Sequence, residues 1–332
     1  MKTILITGGA GYIGTELTIA LLEKHKVIVY DKFFFPWLKK NKKNIKNNDR
    51  LTFVKKNIID VKKKDLKNVD IICDLAAVAN DPSCELNKRI AWKINYFGRL
   101  KFAKIAKASK VKQYIFNSSC SVYGANKNKV YENSSLNPVS TYAKSILKCE
   151  QKIYKLRDKN FKTYILRNGT VFGNSRCFRL DLVINFFTYR AALNNNLIVD
   201  GDGKQFRPFI SVKDLINIFI YIIKNVEILP SFICNLVSFN SNILDIARKI
   251  KKVLKSNVKI EIKKYIDIDK RNYNVGSKYF KKFFGNRFKF KKLNSEIKSL
   301  DKFYKNKKTK IDLNSAVRFN FYKKYFSLNR IV

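Results

Sequence analysis

The residues whose types and spacing could do chemistry begin at position 7. Thr7-Gly8-Gly9-Ala10-Gly11-Tyr12-Ile13-Gly14 carries glycines at 8, 11 and 14. An apolar run at 2–7 precedes it and reads as a buried strand, and a helical pattern over 12–24 follows. Gly8 permits a sharp strand-to-helix turn, Gly11 lets the backbone approach a diphosphate, and Gly14 lets helix and strand pack closely. Tyr12 and Ile13 lie on the same turn, where free N–H groups at a helix N-terminus attract phosphate oxygens. Asp31 closes the next apolar run, 27–30. A carboxylate there accepts from both adenosine ribose hydroxyls and repels a 2′-phosphate, which favours NAD over NADP. These residues predict an NAD site.

Further motifs follow in order: Asn57-Ile58, Leu75-Ala76-Ala77, Asn95-Tyr96-Phe97-Gly98, Ser118-Ser119-Cys120-Ser121-Val122-Tyr123-Gly124, and Tyr142-Ala143-Lys144-Ser145-Ile146. With the glycine turn they resemble the extended short-chain dehydrogenase/reductases, the family of NAD-dependent nucleotide-sugar epimerases and dehydratases. The resemblance covers most of the chain. It implies that Asn57 and Ile58 lie beside the adenine, that Leu75, Ala76 and Ala77 give the cofactor room, and that Asn95, a cofactor-site residue in the family, steadies the active-site side of the sheet. It assigns Ser119 to hydrogen-bond the reacting sugar hydroxyl. Tyr142 would take that hydroxyl's proton while hydride passes to the nicotinamide.

In the family a lysine one helical turn after the tyrosine binds the nicotinamide ribose and lowers the tyrosine pKa. Here that position is Ile146; Lys144 points to nearly the opposite face, and Lys148 is badly phased. The departure predicts slow turnover or none, and a faster hydride transfer in Ile146→Lys. The Asp-Glu pair that 4,6-dehydratases carry after the catalytic hydroxyl residue is replaced by Cys120-Ser121. What remains is epimerisation through a ketone, or simple reduction of a keto-sugar.

On the substrate side the resemblance places Thr170 against the sugar nucleotide and Arg207 against its diphosphate, where a guanidinium fork suits phosphate oxygens. Arg271 is a second such candidate, and Arg176 and Arg179 lie on the loop that would cover the sugar. The implied function is an NAD(H)-dependent epimerase or oxidoreductase acting on a nucleoside-diphosphate sugar. The alternative, resting on Ile146, is a catalytically weakened NAD-binding sensor or scaffold of the same fold. Relatives pair the helices expected at 85–108 and 139–158, which implies a homodimer.

Positioning these residues calls for an α/β fold. Short apolar runs at 51–54, 70–75, 113–117 and 163–166 alternate with helical patterns, as in a Rossmann-type doubly wound parallel sheet. Residues 1–173 read as the NAD-binding domain and 174–332 mainly as a smaller α/β substrate-binding domain, with 206–225 returning to the first. Residues 39–50 read as a polar loop.

Composition narrows the partners. The formal charge is +44, from 69 Lys and Arg against 25 Asp and Glu. The lysines are dispersed and form no stripe, so the charge favours an anionic ligand rather than a specific nucleic acid. The longest apolar run, 215–223, falls short of the roughly 20 residues of a membrane span. Position 3 leads straight into a strand rather than a signal peptide, the six cysteines form no CxxC pair, and the single histidine is His25. The expectation is a cytoplasmic protein with no membrane partner and no metal.

Overall fold

The computed structural model describes residues 1–35, 48–263, 271–286, 288–307 and 311–327. Most of the polar loop expected at 39–50 lies outside the described residues. Among the described residues twelve strands occur in chain order: β1 (Thr3–Thr7), β2 (Lys26–Asp31), β3 (Leu51–Lys55), β4 (Ile71–Asp74), β5 (Gln113–Ser119), β6 (Lys162–Asn168), β7 (Thr170–Phe172), β8 (Leu197–Asp200), β9 (Phe206–Ser211), β10 (Phe232–Leu236), β11 (Phe239–Asn242) and β12 (Ile260–Lys263). Seven of them form one sheet in the order β10-β6-β5-β4-β1-β2-β3, and every pairing in it is parallel. The fold is the Rossmann-type doubly wound α/β sheet.

Alternation along the strands explains the two helical layers. Ile4 and Ile6 of β1 enter one buried cluster, with Leu17 and Leu21 of the helix Tyr12–Leu22 and Leu215, Phe219 and Ile222 of the helix Val212–Lys224. Leu5 points to the opposite face and packs with Phe102, Ala106, Phe116, Ile146 and Ile153. The helices behind that second face are Arg99–Ala108 and Thr141–Tyr154. A strand buried on both faces reads as a continuous apolar run, as Ile4-Leu5-Ile6 of β1 does.

A third buried cluster joins Phe172, Ile184, Phe187, Phe209, Ile246, Ile250, Ile297 and Leu300. It lies among the small sheets β11-β9-β7 and β12-β8 and the helices Val183–Ala192, Ile243–Leu254 and Leu293–Lys307. The chain returns twice to the large sheet from this region, with the helix Val212–Lys224 and with β10 at the sheet edge. Ser211 starts that helix by accepting from Asp214 N at 3.1 Å and donating to Asp214 Oδ2 at 2.8 Å. No helix among the described residues is long and apolar enough to cross a membrane.

Strand order reverses between β1 and β4, because β2 and β3 continue on one side of β1 and β4, β5 and β6 on the other. The loops leaving the two strands therefore diverge and open a crevice at their C-terminal ends. That crevice is where the predicted residues meet.

Candidate active site

A cavity of about 680 Å³ opens there, bordered by Gly8, Gly11, Tyr12, Ile13, Gly14, Asp31, Asn57, Ile58, Leu75, Ala76, Ala77, Ser119, Tyr142, Thr170, Arg207 and Arg271. Sixteen of the seventeen binding and catalytic residues expected from sequence thus share one wall. Asn95 does not.

At the turn, Gly8 has a φ of +68°, and a Cβ added to it would sit 2.9 Å from the backbone of Ala76. A Cβ on Gly14 would lie 2.2 Å from Gly8 O. No side chain caps the helix at Gly11, and no acidic residue stands in its first turn. That end of the helix suits an anion. Tyr12 turns its hydroxyl away to donate to Gly173 O at 2.7 Å.

Asp31 Oδ2 accepts from Ala10 N at 3.0 Å and Oδ1 from Phe33 N at 2.6 Å. Burial pushes its carboxyl up, and these N–H groups pull it back toward the ionised form. Asn57 caps a short turn by accepting from Ile59 N at 3.4 Å, so its side-chain carbonyl already has one weak partner. On the other side of the crevice, Thr7 Oγ1 accepts from Leu75 N at 3.1 Å and Ala76 N at 3.2 Å. It donates to Asp74 Oδ1 at 2.7 Å. The start of the Leu75-Ala76-Ala77 stretch is thereby tied to β1.

Asn95 is fully buried behind this wall. Its Oδ1 accepts from Val78 N at 2.9 Å, and its Nδ2 donates to Val78 O at 3.1 Å. It positions the backbone that follows Ala77 and does not border the cavity.

Ser119 ends β5, and its Oγ accepts from Ser121 N at 3.1 Å. Tyr142 stands in the first turn of the helix Thr141–Tyr154, which Ser140 caps by accepting from Ala143 N at 3.1 Å. Burial pushes the Tyr142 phenol up to about 12; Asp81 acts in the same sense, while Arg99 and Arg179 oppose it. Ile146 is fully buried, whereas Lys144 and Lys148 are exposed. Neither lysine shares the tyrosine's face.

Arg207 Nη1 donates to Phe206 O at 2.8 Å and to Arg271 O, and its guanidinium lies 5.3 Å from the Tyr273 ring. Arg271 is paired with Asp81. Arg179 also borders the cavity, gripped by Asp181 at 3.0 and 2.7 Å. Arg176 instead binds Glu16 at 2.8 Å and takes no part in the wall.

Sequence reasoning missed two parts of the site. One is Arg99, which borders the cavity and is paired with Asp74 at 3.0 Å. An arginine one helical turn after Asn95 was the available signal. The other is the helix Arg318–Ser327, whose Arg318 and Tyr322 border the cavity while Phe321 packs on Phe34 and Phe35. Nothing in the local sequence pairs residue 321 with residue 34.

Residues 4–235 match the family model described as the NAD dependent epimerase/dehydratase family. The chain belongs to this family. Among its relatives is an uncharacterized UDP-glucose epimerase, YtcB of Bacillus subtilis (strain 168), 34% identical over 225 residues, covering 64% of this chain and 70% of the relative. A dTDP-D-glucose 4,6-dehydratase of Bos taurus is 26% identical over 286 residues, or 82% of this chain and 79% of that one. A solved UDP-N-acetylglucosamine 4-epimerase from Methanobrevibacter ruminantium M1 superposes with a TM-score of 0.82 at 25% identity, covering 92% of this chain and 99% of its own. For the NAD-bound UDP-glucuronic acid 4-epimerase from Bacillus cereus the TM-score is 0.81 at 23% identity, with coverage of 92% and 99%, a likeness of fold. The family is NAD dependent by its description.

Proposed function

We propose that the protein is an NAD(H)-dependent epimerase or oxidoreductase that oxidises a hydroxyl of a nucleoside-diphosphate sugar to a ketone and reduces it again. The supporting observation is one cavity that joins an uncapped helix N-terminus and Asp31 at one end to Ser119 and Tyr142 in the middle and to Arg207 and Arg271 beyond. Its two phosphate-suited regions fit two diphosphates, one of the cofactor and one of the substrate. The relatives carry enzyme names, which does not favour the sensor or scaffold alternative.

The glycine turn and Asp31 would hold NAD, which would supply the hydride acceptor for the carbinol carbon and the donor for the return step. The chain's own residues handle the proton. Ser119 Oγ orients the sugar hydroxyl, and Tyr142 Oη takes its proton as the C–O bond becomes a carbonyl; both steps reverse when the ketone is reduced. Against water elimination stand the residues after Ser119, Cys120 and Ser121, neither of them a carboxylate. Cys120 Sγ donates to Arg167 O at 3.2 Å, and burial pushes its thiol well up, so it offers no base. Residues 1–173, with 206–225 returning to them, would form the NAD-binding domain and 174–332 mainly the substrate-binding domain, with Ser119, Tyr142, Thr170 and Arg207 reaching the sugar nucleotide from the first.

Incubation with NAD and a panel of UDP- and dTDP-sugars tests the reading, with sugar products resolved by chromatography. Interconversion of one pair of epimers, or reduction of one keto-sugar with NADH, is expected; no change in any sugar overturns it. Two narrower results follow. NAD should bind more tightly than NADP, and Asp31→Asn should narrow the gap by about tenfold, since it removes one repelling charge held close to the ribose. Equal affinities of the native protein for both cofactors in calorimetry would refute the role of Asp31.

The second result concerns assembly. Phe97, on the helical stretch before the helix Arg99–Ala108, is 61% exposed, and Val139, just ahead of the helix Thr141–Tyr154, is 43% exposed. These apolar groups lie where a homodimer would bury them. The native chain should sediment as a dimer, and Phe97→Asp as a monomer. A native monomer at micromolar concentration would remove the dimer from this account.

A further inference from the structure

Ile146 removes a cation from the helix that carries Tyr142, and the structure holds another cation beside the same cavity. Arg99 is 1% exposed and borders the cavity together with Asn117, Ser119 and Tyr142. A charge so deeply buried needs partners. Its Nε donates to Asp74 Oδ2 at 3.0 Å, and its Nη2 donates to Asp74 O at 2.9 Å and Asn117 O at 3.1 Å. Nη1 has no protein partner among the described residues.

The anchors fix where this group stands. Asp74 immediately precedes Leu75-Ala76-Ala77, and Asn117 lies two residues before Ser119. The guanidinium therefore bridges the C-terminal ends of β4 and β5, between the stretch that makes room for the cofactor and the catalytic serine. One face lies 3.9 Å from the Phe116 ring, and Phe116 shares its buried cluster with Ile146. Asp74 is itself saturated, with Thr7 Oγ1 on Oδ1 and Tyr114 Oη at 2.8 Å on Oδ2, so its carboxylate is held in place. The other cation acting on Tyr142, Arg179, stands on the loop before the helix Val183–Ala192 and spends two parallel bonds on Asp181.

We infer that Arg99 supplies the active-site cation that Ile146 cannot: its Nη1 holds the nicotinamide ribose of bound NAD, and its charge draws the Tyr142 hydroxyl toward phenolate. This deepens the proposed function and rests on NAD occupying the cavity. The groups acting on Tyr142 are Asp81 and Cys84 from the helix Asp81–Leu86, Arg99, and Arg179. Asp81 opposes ionisation and the two arginines favour it. Glu85, Lys88, Arg89, Lys93, Lys101 and Lys104 are exposed and screened by water, while Glu150 is bound to Arg167, Lys107 to Asp158, and Arg318 stacks on the Phe35 ring.

The test separates the two halves of the cofactor. Deleting Arg99 alone would strand Asp74, so the informative variant is the neutral pair Arg99→Gln/Asp74→Asn, titrated calorimetrically with NAD and with ADP, which lacks the nicotinamide ribose. NAD affinity should fall about 10- to 100-fold, the worth of one charge-assisted hydrogen bond, while ADP affinity stays within about twofold. Arg99→Lys keeps the charge on Asp74 and should lose less than the neutral pair; it carries the comparison if the neutral pair does not fold. A parallel fall of NAD and ADP, an unchanged NAD affinity, or a loss in Arg99→Lys as large as in the neutral pair overturns the inference and leaves the NAD reading standing. Failure of the native protein to bind NAD defeats both.

The kinetic arm is a rescue. In single-turnover oxidation across pH, the neutral pair should move the break assigned to Tyr142 to higher pH, and Ile146→Lys should restore it in that background. In the native background Ile146→Lys should add no rate, because the cation is already present. A tenfold or greater gain there, as the sequence alone predicts, would mean that the native site lacks its cation and would refute the role of Arg99.

Discussion

Replacing Tyr142 by phenylalanine should cut turnover of the preferred sugar nucleotide by about a hundred- to ten-thousand-fold, the usual weight of a positioned acid–base group. The cost falls on turnover because the lost oxygen is the proton acceptor, while the ring keeps its packing against the Val78, Cys84 and Tyr322 cluster. NAD affinity should stay within about twofold, since the diphosphate and adenosine contacts lie elsewhere in the cavity. The native pH profile has a definite sign. Burial holds the phenol up at about 12, and the arginines only moderate this. Oxidation should therefore climb with pH about tenfold per unit until the pKa of the loaded site is reached, because only the phenolate can accept the proton. A Tyr142→Phe enzyme with native turnover, or a rate flat from acid to alkaline pH, would exclude Tyr142 as the base.

Gly14→Ala should lower NAD affinity by about a hundred- to a thousand-fold. The new Cβ would lie 2.2 Å from Gly8 O and 2.6 Å from Gly9 Cα, both backbone, so no side-chain rotation can relieve it. The turn must shift by about 1 Å to reach ordinary contact distances, which carries its N–H groups off the diphosphate. Each charge-assisted hydrogen bond lost is worth roughly 1.5–3 kcal/mol, so losing two at the lower end of that range, about 3–4 kcal/mol together, gives such a fall. ADP and NAD should weaken together, unlike the selective loss expected at Arg99. Native affinity of Gly14→Ala for both ligands, with the fold intact by circular dichroism, would show that the turn does not grip the cofactor.

The residues expected to hold the cofactor, Asn95 apart, border one cavity, and they could be gathered from sequence because each stands in a local signal. The glycine turn, Asp31, Leu75-Ala76-Ala77 and the Ser119 stretch each sit at the end of a strand. Parallel strands with a reversal in their order bring all such ends to one crevice, so reading the strands was enough to gather the residues. The phase of a helix was equally readable: Lys144 and Lys148 are exposed and Ile146 is buried, as the 3.6-residue period requires. The same arithmetic did not reveal that Asn95 sits behind the wall rather than on it. Its side chain is spent on Val78, seventeen residues away, a pairing set by how the helix meets the loop.

What the sequence by itself determined is the fold class, the glycine turn between strand and helix, and the burial of Ile146 one helical turn after Tyr142, because periodicity, turn geometry and residue chemistry are properties of neighbours in the chain. Only the tertiary structure decided that Arg99 borders the same cavity as Tyr142, which arginine of the 176/179 pair borders it, that β10 completes the large sheet, and that Arg318 and Tyr322 help to close the cavity. Each of these is a contact between segments distant in sequence, Arg99 with Asp74 and Asn117, or Phe321 with Phe34. Such contacts are selected by how buried faces and charges are satisfied in the packed whole, and no local pattern encodes them.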